Sequence, residues 1–167
     1  MDTDRDALEG KILDAAAMRA ERDRLHAAGR TLVFTNGCFD LLHAGHVTYL
    51  QFARRLGDAL CVGINSDASV RRYKGPLRPI VAQEHRAKLL ASLRCVDYVV
   101  VFDEDEPRDL IAAVLPDVLV KGRDWAHYVS GRDIVEANGG RVELADMVAG
   151  LSTTDVIGKI VKSYGRA

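Results

Sequence analysis

A doubly wound parallel α/β sheet of five strands, with helices on both faces, is the fold class this sequence predicts. Strand-like and helix-like segments alternate along the chain, from Thr31-Leu32-Val33-Phe34-Thr35 to the last helix near Tyr164. The strand-like segments are continuous apolar runs, as expected of strands covered on both faces, not the in-out alternation of a half-exposed sheet. Composition agrees: 48% of the 167 residues are apolar, enough for one core that takes about two-thirds of the unfolded surface out of water.

Leu8 to Ala28 is predicted as a helix, with Leu8, Ile12, Ala16 and Leu25 at roughly helical spacing and Gly29 as a stop. Residues 1–29 are thereby set apart as an N-terminal helical extension, and 30–167 form the domain proper. Thr31 to Thr35 is the first strand, and Asn36-Gly37 turns the chain. A helix follows over roughly Gly45 to Leu56, ending before Gly57. Leu60 to Ile64 is the second strand, and Asn65-Ser66-Asp67 caps a short helix to Tyr73. Lys74-Gly75-Pro76-Leu77-Arg78-Pro79 is a stiff basic loop. The next helix covers about Gln83 to Leu93, and Tyr98 to Phe102 is the third strand. Pro107 suits the first turn of a helix that ends before Pro116. Val118 to Val120 is the fourth strand, and a polar loop runs from Lys121 to Gly131. Another helix stops at Asn138-Gly139-Gly140, and Val142 to Leu144 is the fifth strand. Ser152 or Thr153 caps a last helix to about Tyr164.

Several function classes are excluded. Basic and acidic residues number 23 and 24, a net charge of −1, whereas nucleic-acid-binding domains usually reach a pI above about 9. No stretch approaches the roughly 18 consecutive apolar residues of a membrane span. The start, Met1-Asp2-Thr3-Asp4-Arg5-Asp6, lacks the apolar core of a secretory signal. Cys38, Cys61 and Cys95 cannot all pair with one another, and none sits in a CxxC. A reducing, cytoplasmic setting is expected, with Cys61 and Cys95 as small core residues.

Ligands of such sheets bind beyond the C-terminal ends of the strands, where strand order reverses. The loops after strands one, two and four therefore hold the candidates. No GxGxxG follows strand one and no GxxxxGK[ST] occurs, which argues against a dinucleotide-binding dehydrogenase or a P-loop kinase. Strand one instead runs into Asn36-Gly37-Cys38-Phe39-Asp40-Leu41-Leu42-His43-Ala44-Gly45-His46. His43 and His46 stand three apart at a helix start and share a face. Gly45 between them lets a ligand reach the backbone. The helix terminus adds unpaired N–H groups and about half a positive charge. The result is an anion site with two imidazole donors, which phosphoryl transfer needs where charge builds on phosphate oxygens. The pair by itself also fits coincidence, or two ligands of a zinc ion. For zinc, Cys38 is the only nearby third ligand, and no HExxH carboxylate follows.

The segment Gly37-x-Phe39-Asp40-x-x-His43-x-Gly45-His46 resembles the signature of the cytidylyltransferase-like nucleotidyltransferases. The resemblance implies a Rossmann-like HxGH fold and transfer of a nucleoside monophosphate from a nucleoside triphosphate to a phosphate, releasing pyrophosphate without a covalent enzyme intermediate. Three further segments match in order. Lys74-Gly75 falls where the family places a lysine on the triphosphate or substrate phosphate. Lys121-Gly122-Arg123-Asp124-Trp125 matches the loop beside the nucleotide. Gly150-Leu151-Ser152-Thr153-Thr154 resembles the C-terminal GIST-type motif, where hydroxyls and N–H groups at a helix start hold phosphates. The match spans about residues 30–165. It implies His43, His46 and Lys74 as catalytic residues. It places Cys38, Phe39, Gly45, Lys121, Gly122, Asp124, Gly150, Ser152, Thr153 and Thr154 around the nucleotide, and Asn36, Asp40 and Arg78 toward the acceptor. Plainer readings stand beside these: Lys74 as a solvated lysine, Trp125 as a packing residue and Ser152 as a simple N-cap.

Within the family, Val33 to Asp40, Asn65-Ser66-Asp67, Leu115 to Gly122 and Ala137 to Gly140 look most like the heptose 1-phosphate adenylyltransferases, here as the form without the sugar-kinase domain that often accompanies them. That branch implies ATP with Mg²⁺, D-glycero-β-D-manno-heptose 1-phosphate as acceptor, ADP-heptose as product, and a place in lipopolysaccharide core synthesis. The cytidylyl branch carries Arg-Thr-Glu before the C-terminal glycine and a lysine after its threonines. Met147-Val148-Ala149 and Asp155 stand there instead, which weakens a CTP reading. No residues are assigned as metal ligands. The expected partners are small molecules, with no nucleic acid and no membrane, and a homo-oligomer is expected. Two alternatives remain: a cytidylyltransferase for a polyol phosphate such as glycerol 3-phosphate, and a non-catalytic nucleotide sensor.

Overall fold

The continuous apolar runs of the sequence become parallel strands of one sheet. The computed structural model describes residue 8 and residues 10–146 and 150–165. Its strands are β1 (Ile12–Leu13), β2 (Leu32–Gly37), β3 (Ala59–Asn65), β4 (Tyr98–Phe102), β5 (Val118–Gly122) and β6 (Arg141–Ala145). Its helices are α1 (Ala15–Ala27), α2 (Ala44–Arg54), α3 (Asp67–Lys74), α4 (Gln83–Ala91), α5 (Arg108–Val114), α6 (Arg132–Ala137) and α7 (Thr153–Tyr164), with a 3-10 turn over Arg123–Trp125. The strand order is β1-β4-β3-β2-β5-β6, and each pairing is parallel.

Successive residues of each strand feed opposite cores. Leu32 and Phe34 of β2 join one cluster with Met18 and Leu25 of α1 and Leu110 and Ile111 of α5. Val33 joins the other with Leu50 of α2 and Leu90 of α4. Both faces are dry, which is why the strand sequences do not alternate. Cys61 is fully buried and Cys95 half-buried, both as free thiols.

The five-stranded expectation is corrected to six strands. Ile12 and Leu13 lie opposite Val99 and Val100 of β4, and the Val99 N–H donates to the Lys11 carbonyl at 2.8 Å. The helix predicted from Leu8 yields α1, beginning at Ala15. Asp14 caps it by accepting from the Ala17 N–H at 2.7 Å. An aspartate serves better as an N-cap than inside a helix. Strand β2 also runs past the predicted turn, because Asn36 and Gly37 still pair with Gly63 and Ile64. Helices α2 and α4 end two residues earlier than expected, within the ordinary fraying of helix ends.

Strand order places β2 in the middle, with β3 on one side and β5 on the other. Successive strands after β2 run out through β3 and β4, then cross to β5 and β6. The reversal opens a crevice at the C-terminal ends of β2 and β5, where α2 begins. Among the described residues, no helix is long and apolar enough to cross a membrane.

Candidate active site

A cleft of about 470 Å³ occupies that crevice. Asn36, Cys38, Phe39, Asp40, His46, Lys74, Arg78, Lys121, Ser152, Thr153 and Thr154 all line it. A smaller adjoining cavity of about 150 Å³, against the start of α2, adds Gly45, Gly122 and Asp124. The matched segments, up to 118 residues apart in the chain, therefore share one site. His43 and Gly150 line neither cavity.

The loop between β2 and α2 is built around the two histidines. Phe39 turns the chain with φ +46°, and its buried ring lies 5.1 Å from that of His46. His43 is the N-cap of α2, its Nδ1 accepting from the His46 N–H at 3.4 Å, a long bond. The two imidazoles stack at 3.7 Å with an interplanar angle of 20°. A Cβ at Gly45 would lie 3.0 Å from His43 Nδ1 and 3.1 Å from the Leu151 Cβ. Glycine there lets the C-terminal segment approach the start of α2. Nδ1 of His46 is buried without a partner among the described residues. Burial, aided by the neighbouring His43, pushes the pKa of His46 down to about 4. At neutral pH the ring is uncharged. Because a buried N–H without an acceptor is costly, its proton belongs on Nε2.

Lys121 forms the floor at the end of β5. Its Nζ donates to Asn36 Oδ1 at 2.9 Å and lies 5.8 Å from the Trp125 ring centroid. Neither partner carries a charge. Burial pulls the ammonium down to about 8, against the opposing pull of Asp124. Among the described residues this cation makes no direct ion pair, and only more distant carboxylates such as Asp124 oppose the cost of its burial.

Nearby, another set of buried polar groups is fully paired. Asp40 is 1% exposed and accepts from the N–H groups of Ile80 and Val81 at 2.8 and 2.9 Å and from Arg78. Burial raises its carboxyl, but those N–H groups and the Arg78 guanidinium outweigh it and hold it below its ordinary value. Arg86 is fully buried. It donates to the carbonyls of Val81 (2.9 Å), Cys38 (2.6 Å) and Asn65 (2.9 Å) and to Asp67 Oδ1 (2.8 Å). Asp40 and Arg86 thus clasp the basic loop to the loops after β2 and β3. Lys74, at the end of α3, is exposed and lies 4.6 Å above the Tyr73 ring. Ser152 caps α7 by accepting from the Asp155 N–H at 3.0 Å and donates to Asp155 Oδ2 at 2.6 Å.

One wall was not foreseen. The loop after β4 brings Asp105, Glu106 and Pro107 into the cleft, facing Tyr128 and Ser130. The sequence shows only an acidic run there, opposite in sign to a phosphate site. Arg86 was missed because an arginine in a helix reads as solvated. Among the described residues, no group of three or more His, Cys, Asp or Glu could hold a metal ion, so the two histidines have no third zinc ligand there. Met147-Val148-Ala149 lies outside the described residues.

The family called cytidylyltransferase-like matches residues 34–159. The chain is 61% identical over 137 residues to the "Bifunctional protein HldE" of Syntrophotalea carbinolica, an alignment covering 81% of this chain and 28% of that protein. It is also 61% identical over 140 residues to the protein of the same name from Geobacter sulfurreducens, with 83% and 29% covered. The chain thus spans under a third of the length of these curated relatives. Among solved structures it is similar to the lipopolysaccharide core biosynthesis protein from Thermoplasma volcanium, at 29% identity and a TM-score of 0.59, covering 72% of this chain and 98% of that one. The pantoate-beta-alanine ligase from Francisella tularensis shares the fold at 14% identity and a TM-score of 0.58, covering 93% of this chain and 79% of that one. Four separate sequence segments meet in one cleft, and the family match spans three-quarters of the chain and all of the residues that line the cleft: the chain belongs to the cytidylyltransferase-like family of nucleotidyltransferases.

Proposed function

We propose that the chain transfers AMP from MgATP to D-glycero-β-D-manno-heptose 1-phosphate, giving ADP-heptose and pyrophosphate for lipopolysaccharide core synthesis. The observation that carries the phosphate chemistry is Lys121, a cation on the cleft floor whose polar partner, Asn36, is neutral. The heptose acceptor rests on the resemblance of the segments quoted above to that branch. The name of the Thermoplasma volcanium structure fits the same pathway.

In this reading, Nε2–H of His46, Lys121 and the N–H groups at the starts of α2 and α7 hold the phosphates of ATP. Thr153 and Thr154 add hydroxyls, and Cys38, Phe39, Gly45, Gly122, Asp124 and Gly150 shape the nucleotide side. The anomeric phosphate of the sugar attacks the α-phosphorus in line. It is already ionised near neutral pH, so no general base is required. Lys74 and Arg78 guide it from the acceptor side, where Asp40 fixes Arg78 and Asn36 fixes Lys121. His43 acts as catalytic support by stacking on His46. Fixed donors where charge develops supply the rate. Bound with the nucleotide, Mg²⁺ would neutralise charge on the phosphates, leaving the chain's own donors to orient them. A cytoplasmic homo-oligomer belongs to the same proposal, supported by the exposed Ile160, Val161 and Tyr164 of α7, and sedimentation tests it.

The deciding experiment is pyrophosphate release from a panel of nucleoside triphosphates, each offered heptose 1-phosphate or glycerol 3-phosphate. Turnover of ATP with the heptose is expected. Preference for CTP with glycerol 3-phosphate would replace this reading. Binding of ATP without turnover under any acceptor would make the chain a sensor.

A further inference from the structure

The unforeseen wall of the cleft has a chemistry of its own. Glu106 is exposed on it, and both Tyr128 Oη (2.8 Å) and Ser130 Oγ (2.9 Å) donate to the same oxygen, Oε2. Oε1 receives no protein donor among the described residues. Ser130 is only 7% exposed, so its hydroxyl is fixed in place. The loop is tied to α3, because Arg72 Nε donates to Asp105 Oδ1 at 2.8 Å and Ser69 Oγ to the Glu104 carbonyl at 2.8 Å. Glu106 therefore holds a set position relative to Lys74 at the end of α3.

A carboxylate in a cleft that collects phosphates repels any phosphate it touches. Toward the organic part of a ligand it suits an uncharged, donor-bearing group. We infer that Glu106, with Tyr128 and Ser130, forms a subsite for adjacent hydroxyl groups: Oε1 accepts from them, and the two protein hydroxyl oxygens offer further acceptors. Such hydroxyls occur on the acceptor sugar and on the ribose of ATP. The larger cleft that Glu106 lines also holds Lys121, Ser152, Thr153 and Thr154 from the nucleotide side, but the Glu106 loop is tied to α3, the helix that ends at Lys74 on the acceptor side. That placement assigns the subsite to the acceptor. The assignment rests on the sugar-phosphate reading of the site and adds the residues that select the sugar.

The test is steady-state pyrophosphate release by Glu106→Gln and Ser130→Ala, with circular dichroism to confirm folding. Glu106→Gln should raise KM for the sugar 1-phosphate about tenfold, while kcat and KM for ATP hold within about twofold. The defect should vanish with a deoxy acceptor that lacks the contacted hydroxyl. Ser130→Ala should show a smaller rise in the same constant. A rise in KM for ATP alone, absent with 2′-deoxy-ATP, would move the subsite to the ribose and overturn the acceptor assignment. Unchanged constants in an active enzyme would overturn the subsite and leave the transfer reaction standing. A wild-type chain inert with every sugar 1-phosphate would overturn the functional reading, and the subsite with it.

Discussion

Two groups of buried polar side chains stand side by side in this molecule, and they differ in one respect. Around Asp40 and Arg86, each charged group meets partners of the right kind. Around His46 and Lys121, among the described residues, one nitrogen has no partner and one ammonium contacts only an amide and a ring face. Buried polar groups cost stability unless they are paired. The first group serves the fold, while the second costs stability, and in the proposed reading an anionic ligand supplies the counter-charge that Lys121 lacks. Complete pairing marks structure, and an incompletely paired cation marks a candidate ligand position.

Four measurements can break or sharpen that contrast. The largest effect should come from the paired side. Arg86→Met leaves three carbonyls and the Asp67 carboxylate short of a donor and should cost about 3–5 kcal/mol, lowering Tm by roughly 10 °C. A calorimetric Tm within a degree or two of wild type would show that the clasp is not structural. On the other side, Lys121→Met should lower turnover by about 10²–10³ yet leave Tm unchanged or higher. Lys121 has a pKa near 8 in the fold and near 10.4 in an unfolded chain, so at neutral pH the fold carries the cost of its charge. A variant that is both inactive and much less stable would erase the contrast.

Acid should act through His46. Its pKa near 4 in the fold lies below the unfolded value of about 6.5, so the unfolded chain takes up the proton first. The stability it confers is complete above about pH 6.5 and is lost on the way to about pH 4, by on the order of 2 kcal/mol given its partial exposure. Urea midpoints across that range should fall, and His46→Gln should flatten the slope. The smallest effect belongs to Ser152→Ala. Loss of the α7 cap costs about 1 kcal/mol, seen as faster amide exchange in the first turn of α7.

The architecture was legible because burial on both faces writes itself into each strand, as in Tyr98-Val99-Val100-Val101-Phe102. The segments that meet in the cleft were legible through their ordered resemblance to one family's motifs. What escaped depends on distance in the chain. Arg86 is buried only because loops 19 to 48 residues away supply its acceptors. Glu106 gains its meaning from Tyr128 and Ser130. A strand of two residues, Ile12–Leu13, is too short to show any period.

That short strand has a consequence for solubility. Without it, β4 would be an outer strand of the sheet, presenting the backbone of Val99 and Val100 to any passing chain. Exposed apolar strands of this kind template aggregation. Strand β1 occupies that position with two residues, and Lys11 pins it by donating to the carbonyls of Ala91 and Val96 at 3.1 and 2.9 Å. The first described stretch of the chain thus acts as a selvedge: it finishes the border of the sheet so that the weave neither frays nor joins a neighbour's.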